Sequence, residues 1–191
     1  VTADAERHGF EPAFSSARSA EFMHSGSMTS YELTQRLMSV ATYYDVCEAG
    51  SEEVILHVKA ELLSARPSCA LWDEKADKEL ARLKGNFNKT HFVIEASGKE
   101  LAKVDFPTIA FKKKLALTIG DKQYHADAGV LSTLYNFSCA DADGKVAMSV
   151  KKSEGLTKVR DRFVVEPSEI APKEIALLVA VAIHTRYFEL I

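Results

Sequence analysis

Apolar and polar residues alternate along most of this chain, and near its end the alternation stops. In Val54-Ile55-Leu56-His57-Val58-Lys59, Val54, Leu56 and Val58 fall on one face. In Leu101-Ala102-Lys103-Val104-Asp105-Phe106, Ala102, Val104 and Phe106 share one face, and Lys103 and Asp105 share the other. A period of two marks a half-buried strand. The pattern predicts strands near 31–37, 42–47, 53–60, 68–73, 79–85, 90–95, 100–106, 114–119, 122–128, 134–140, 145–151 and 160–166. Turn chemistry separates them, as in Ala49-Gly50-Ser51, Ser97-Gly98-Lys99, Gly120-Asp121-Lys122 and Asp143-Gly144-Lys145. Short strands at regular spacing favour an all-β sandwich or barrel over a βαβ architecture. The segment 152–160 reads as a loop.

Pro172-Lys173-Glu174 then opens a helix over 172–189, in which Ile175 through Ile183 carries no polar break. A helix that is apolar all round must be enclosed. The run is too short for a bilayer, which needs ~20 largely apolar residues, and charges flank it on both sides. Pro172 suits the first turn, Glu174 complements the positive helix start and Arg186 the negative end. A strand-rich chain that ends in such a helix suggests a barrel wrapped around it.

Residues 1–30 break the pattern. They are polar and irregular, with Ser15, Ser16, Ser19, Ser25, Ser27 and Ser30, and they read as an extended N-terminal arm before a barrel domain at 31–191. Phe10, Phe14, Phe22 and Met23 are its candidate anchors, onto the barrel or onto a protein partner.

The chain of 191 residues suffices for one domain with a substantial core. Its formal net charge of −3 gives no basis for nucleic-acid binding, which calls for a strongly basic face. Cys47, Cys69 and Cys139 are odd in number and lack CxxC spacing. They read as buried reduced thiols rather than a disulfide framework or zinc site. The expected location is an intracellular reducing compartment: cytoplasmic, or mitochondrial or plastid if a presequence upstream of Val1 was cleaved. No hydrophobic core of a secretory signal appears in residues 1–30.

Catalytic and metal chemistry find little purchase, so no catalytic residue, metal ligand or cofactor is expected. The histidines show no HExxH or other zinc spacing, and no phosphate loop or nucleophile elbow is present. His184, at the end of the apolar run, reads as a hydrogen-bonded or rim histidine. His125 and Asp127 share a strand face without a marked nucleophile. Asp141-Ala142-Asp143-Gly144 resembles the start of a calcium loop, but Lys152 stands where the bidentate Glu belongs. The basic features are Lys112-Lys113-Lys114 and Lys151-Lys152, with Lys158, Arg160 and Arg162 nearby. They are the candidate patch for an anionic membrane surface, where each lysine contributes ~1 kcal/mol.

The order of elements, with the hairpins YYDVCEAG…EEVILHVKAELLS, CALWDEKADKELARLKG and FSCADADGKVAMSVKK and the terminal EIALLVAVAI, resembles the tubby C-terminal-like superfamily, in its LURP-one-related and phospholipid-scramblase-like branch. The resemblance spans roughly 31–189. It implies a closed antiparallel barrel of about twelve strands with the C-terminal helix buried in its centre. It also implies roles such as phosphoinositide binding or membrane association, although the cysteine-rich stretch of scramblases has no counterpart here. The expected function is a non-enzymatic interaction or scaffold module, an accessory subunit docking through its arm and barrel surface. The alternative is a peripheral protein that binds anionic phospholipid.

Overall fold

A computed structural model describes residues 29–37, 42–61, 64–109, 112–128, 136–153 and 161–188. Twelve strands precede one helix. They are β1 (Tyr31–Leu37), β2 (Thr42–Glu48), β3 (Val54–Ala60), β4 (Ser68–Asp73), β5 (Lys78–Gly85), β6 (His91–Ala96), β7 (Lys99–Asp105), β8 (Lys113–Ile119), β9 (Lys122–Ala128), β10 (Asn136–Ala140), β11 (Val146–Ser153) and β12 (Arg162–Glu166), and the helix is α1 (Lys173–Tyr187).

Each strand pairs antiparallel with its neighbours in the chain, and β1 closes the ring on β12 through Tyr31 opposite Val165 and Leu33 opposite Phe163. Closure removes the free edges that would otherwise invite association. The expected fold, mainly β with a closed antiparallel barrel around a buried C-terminal helix, is the observed one.

The period-two pattern decides which side chains face inward. Phe92 and Ile94 of β6, Ala102 and Val104 of β7, and Leu115 and Leu117 of β8 are all buried. An eight-stranded barrel is just wide enough for its side chains to fill, whereas twelve strands leave room for a helix about 10–12 Å across. α1 supplies it: Ile175 through Thr185 is buried without interruption, so the helix has no solvent face. Its 15 residues rise about 22 Å, close to the ~23 Å of a seven-residue strand, so it spans the barrel from end to end.

The two barrel ends differ. Short connections close the end where α1 begins. Ser97 and Gly98, both at positive φ (50° and 75°), join β6 to β7 in two residues, as a primed hairpin turn requires. Bulges precede four of these turns, at Val46/Cys47, Leu71/Trp72, Ile94/Glu95 and Cys139/Ala140. Bulges bend strands and increase their twist, as closure demands.

Several expectations shift. α1 starts at Lys173 rather than 172. Pro172 is extended (ψ 164°), and its carbonyl accepts the Ala176 N–H at 3.0 Å. The helix ends at Tyr187 rather than 189, where the Phe188 N–H donates to the His184 carbonyl. β11 runs through Lys152 and Ser153, opposite Phe163 and Arg162, so these two belong to a strand and not to the expected loop. Cys69 and Cys139 are buried, but Cys47 is only half-buried, because the alternation that turns Val46 inward turns Cys47 out. Phe10, Phe14, Phe22 and Met23 lie outside the described residues, as do Lys158 and Arg160. Among the described residues no helix is long and apolar enough to cross a membrane.

Candidate functional site at the helix C-terminal end of the barrel

Where α1 ends, its last turn meets a collar of aromatic rings. Tyr187 packs edge-on against Phe106 at 5.4 Å between centroids and stacks on Phe137 at 6.1 Å. His184 and Phe188, one turn apart, stack on each other at 5.8 Å, and Phe163 meets both edge-on. Such pairs add about 0.5–1.5 kcal/mol each beyond the area they bury.

Polar contacts then fix the turn. His184 is buried, with Nδ1 2.6 Å from the Tyr44 hydroxyl and Nε2 3.0 Å from Asp161 Oδ2. Lys152 pairs with the other Asp161 oxygen at 2.6 Å. Burial alone would raise the Asp161 carboxyl. Hydrogen bonds from Lys152 and His184 outweigh it and hold the group below its ordinary value. An ionised Asp161 only accepts, so Nε2 carries a proton, and in the neutral ring Tyr44 donates to Nδ1. Both ring nitrogens are engaged by the protein itself. The expectation for His184, a hydrogen-bonded histidine, matches this geometry.

Arg186 ties the rim together. Its Nη1 donates to the Asn88 carbonyl at 3.1 Å, and its Nη2 to Pro107 at 3.2 Å and Thr108 at 3.4 Å. The helix-end cation therefore serves carbonyls of the neighbouring loops, whereas the sequence pointed only to the helix dipole. The Tyr187 hydroxyl donates to the Lys114 carbonyl at 2.7 Å and accepts from the Lys114 N–H at 3.0 Å. Burial raises its pKa, and the bond to the Lys114 backbone partly offsets this.

The predicted basic residues divide over this end. Lys113 and Lys152, far apart in sequence, both reach the ring of Phe188, at 4.8 Å and 4.9 Å from its centroid. Cation–π contacts of this kind contribute about 0.5–1 kcal/mol each at exposed sites. Lys112 and Lys114 are exposed. Lys151 turns to the outer wall and pairs with Glu166 at 2.9 Å. Arg162, also on the outer wall, lies 3.5 Å from Glu32. The expected patch of five lysines is thus split: Lys113 and Lys152 meet at Phe188, Lys112 is exposed on the β7–β8 loop, and strand alternation turns Lys114, beside Asp127, and Lys151 onto the outer wall.

Sequence reasoning missed two neighbours of this patch. Phe87 is 76% exposed and Ile109 is 89% exposed, each on a loop that Arg186 grips. Two large apolar side chains therefore project from adjoining loops, the second of which also carries Lys112. An isolated exposed Phe or Ile is ordinary on any surface; the β6–β7 pairing brings these two loops to one end of the barrel, and the Phe106 N–H to Thr90 carbonyl bond at 2.8 Å and the Arg186 contacts tie them together.

A cavity of about 630 Å³ opens at the same end, between α1 and the wall formed by β2 to β5. A second hollow of about 800 Å³ lies along β8 and β9 and includes His125, Asp127 and Asn136. His125 and Asp127 share one face of β9, as expected; it is the outer face, and both are exposed. The Asp141 carboxylate accepts the N–H groups of Asp143 and Lys145, at 3.0 Å and 2.8 Å, so it is occupied by its own turn. On the outer wall, Asp45 holds Arg36 at 2.5 Å and His57 at 3.0 Å, and the other nitrogen of His57 faces Glu74 at 3.2 Å. Among the described residues no three His, Cys, Asp or Glu side chains cluster as metal ligands. Burial pushes the Cys139 thiol up to about 12.

No family model matches this chain, and no curated protein matches it closely enough to mark a relative.

Proposed function

We propose that this barrel end docks on an anionic membrane surface, with Phe87 and Ile109 entering the headgroup region and the rim lysines meeting the lipid charge. The observation that carries the reading is the joining of two loops, each tipped by an exposed apolar side chain, by Arg186. Burying such side chains contributes about 1.5–3 kcal/mol each, and exposed lysines about 1 kcal/mol each near a negative surface. Together they give weak, reversible and salt-sensitive recruitment, the regime of a peripheral protein. The barrel architecture is the one implied by the resemblance to the tubby C-terminal-like superfamily, and membership of its LURP-one-related and scramblase-like branch is part of this proposal. No catalysis is assigned. The buried histidine is committed to Tyr44 and Asp161, and the Cys139 thiol is held protonated.

Vesicle flotation tests it. The full chain floats with phosphatidylserine vesicles at low salt, floats less at high salt, and stays behind with neutral phosphatidylcholine. Phe87→Ser with Ile109→Ser, or Lys112→Glu with Lys114→Glu, abolishes flotation. Absence of binding at low salt sinks the reading.

A second reading comes from residues 1–30, where Phe10, Phe14, Phe22 and Met23 interrupt a polar stretch. In it the chain is an accessory subunit that docks on a protein partner through this arm. Deleting residues 1–28 should leave the barrel folded and remove co-purifying protein. Unchanged co-purification counts against it.

A further inference from the structure

The cavity beside Arg186 has the build of a binding site. Its inner wall is apolar: Val58 and Leu83 from the barrel and Val181 from α1 are all buried. Its outer part is cationic, with Arg66 and Arg186 among its lining residues. From Val181 to Arg186 the helix rises about 7.5 Å, so the apolar and cationic parts are separated along the helix axis. A volume near 630 Å³ falls within the ~300–1,000 Å³ of small-molecule sites.

The charges there are not balanced. Arg186 bonds only to carbonyls, which satisfy hydrogens and bring no counter-charge, and its Nε is buried without a hydrogen-bond partner. Among the described residues no carboxylate pairs with Arg186 or with Arg66. Glu61 also lines the cavity, but its carboxylate is engaged by Arg82. A cation in a partly dry site gains most from a counter-ion held beside it. The Tyr44 hydroxyl, on the cavity wall, is already held by His184.

We infer that this cavity binds a single-chain amphiphilic carboxylate of the fatty-acid type, its tail against Val58, Leu83 and Val181 and its head at Arg186 and Arg66. A neutral chain leaves the arginines uncompensated, and a bare anion leaves the apolar wall empty. The inference goes beyond membrane docking and does not depend on it, because the ligand is taken up from free solution.

Calorimetric titration of the full chain in vesicle-free buffer, with decanoate below its micellar concentration, tests the site. Decanoate binds with one site per chain. Decanol, decyltrimethylammonium and inorganic phosphate each bind at least tenfold more weakly. Arg186→Gln weakens decanoate at least tenfold. Because Arg186 also braces two loops, two further variants report independently of it. Arg66→Gln, at the exposed mouth, weakens binding severalfold, and Ala60→Phe, which fills the cavity, abolishes it. The inference is overturned if decanoate fails to bind, if decanol or decyltrimethylammonium binds as tightly, or if folded Ala60→Phe binds as the parent does. Loss of decanoate binding with vesicle flotation intact removes this site and leaves the docking face standing.

Discussion

The Tyr44 hydroxyl sits 2.6 Å from His184 Nδ1, although 140 residues separate the two along the chain. It joins the second strand of the barrel to the last turn of the helix that fills it. Through Asp161 at 3.0 Å the same imidazole also reaches the start of β12. Packing alone holds the apolar run of α1, and this polar latch, with the bonds of Arg186 and Tyr187 to the neighbouring backbone, fixes the depth and rotation of its last turn.

Tyr44→Phe keeps the ring and removes the hydroxyl. His184 Nδ1 is then buried without its donor, which costs about 1–3 kcal/mol. Urea unfolding should show a lower midpoint with an unchanged slope, since the same surface is exposed on unfolding.

Acid sensitivity follows from Asp161. Its carboxyl is held below the ordinary value in the folded chain, so the unfolded chain binds its proton first as pH falls. The stabilisation is complete above the free aspartate value near ~3.9 and is lost as pH drops through the lowered folded value. Asp161→Asn should be less stable than the parent at neutral pH by about 1–3 kcal/mol, with the two converging below that window. Urea midpoints between neutral pH and strong acid check this, and a constant gap down to acid would refute it.

Gly85→Ala places a methyl 2.7 Å from the Phe92 ring and 3.2 Å from Pro67. Phe92 is fully buried and packed edge-on against Phe106, so its ring has nowhere to retreat. The expected cost is about 1–3 kcal/mol. Gly98→Ala meets no atom within 4 Å, and its cost is the strain of positive φ, about 1–2 kcal/mol. Calorimetric melting should therefore show a lowered midpoint for both. Hydrogen exchange of the Phe92 region distinguishes them, quickening only in Gly85→Ala.

Thiol labelling should follow strand alternation. Cys139 faces inward, is fully buried and has its pKa pushed to about 12. Cys47 faces out, and burial followed by Asp45 and Glu32 raises it more modestly. Iodoacetamide under native conditions should label Cys47 first, and Cys139 only on unfolding. Equal native rates at the two positions would contradict the assignment of faces.

The barrel was legible in the sequence because its two signals are local. Alternation in residues such as Ala102, Val104 and Phe106 marks inward positions, and Ser97-Gly98 marks a turn without reference to anything distant. The unbroken run from Ile175 to Ile183 gave enclosure in the same way. Helix ends and the extent of β11 were less legible, since the pairing of Lys152 and Ser153 depends on β12. The rim was least legible. Lysine clusters are visible in a sequence, but their division between Phe188 and Glu166 is decided by strand facing. Phe87 and Ile109 carry no local mark that would join them; their loops are tied by distant contacts, the reach of Arg186 to Asn88 and Thr108 and the Phe106–Thr90 backbone bond. The His184 latch likewise has its partners on two distant strands.

Membrane docking through Phe87 is tested most directly by its depth. The chain has a single tryptophan, Trp72, so Phe87→Trp in a Trp72→Phe background gives a reporter at the loop tip alone. With phosphatidylserine vesicles at low salt, the emission of the introduced indole should shift to the blue and be quenched by brominated acyl chains. Emission unchanged by the vesicles, with the protein folded, would contradict docking by this end.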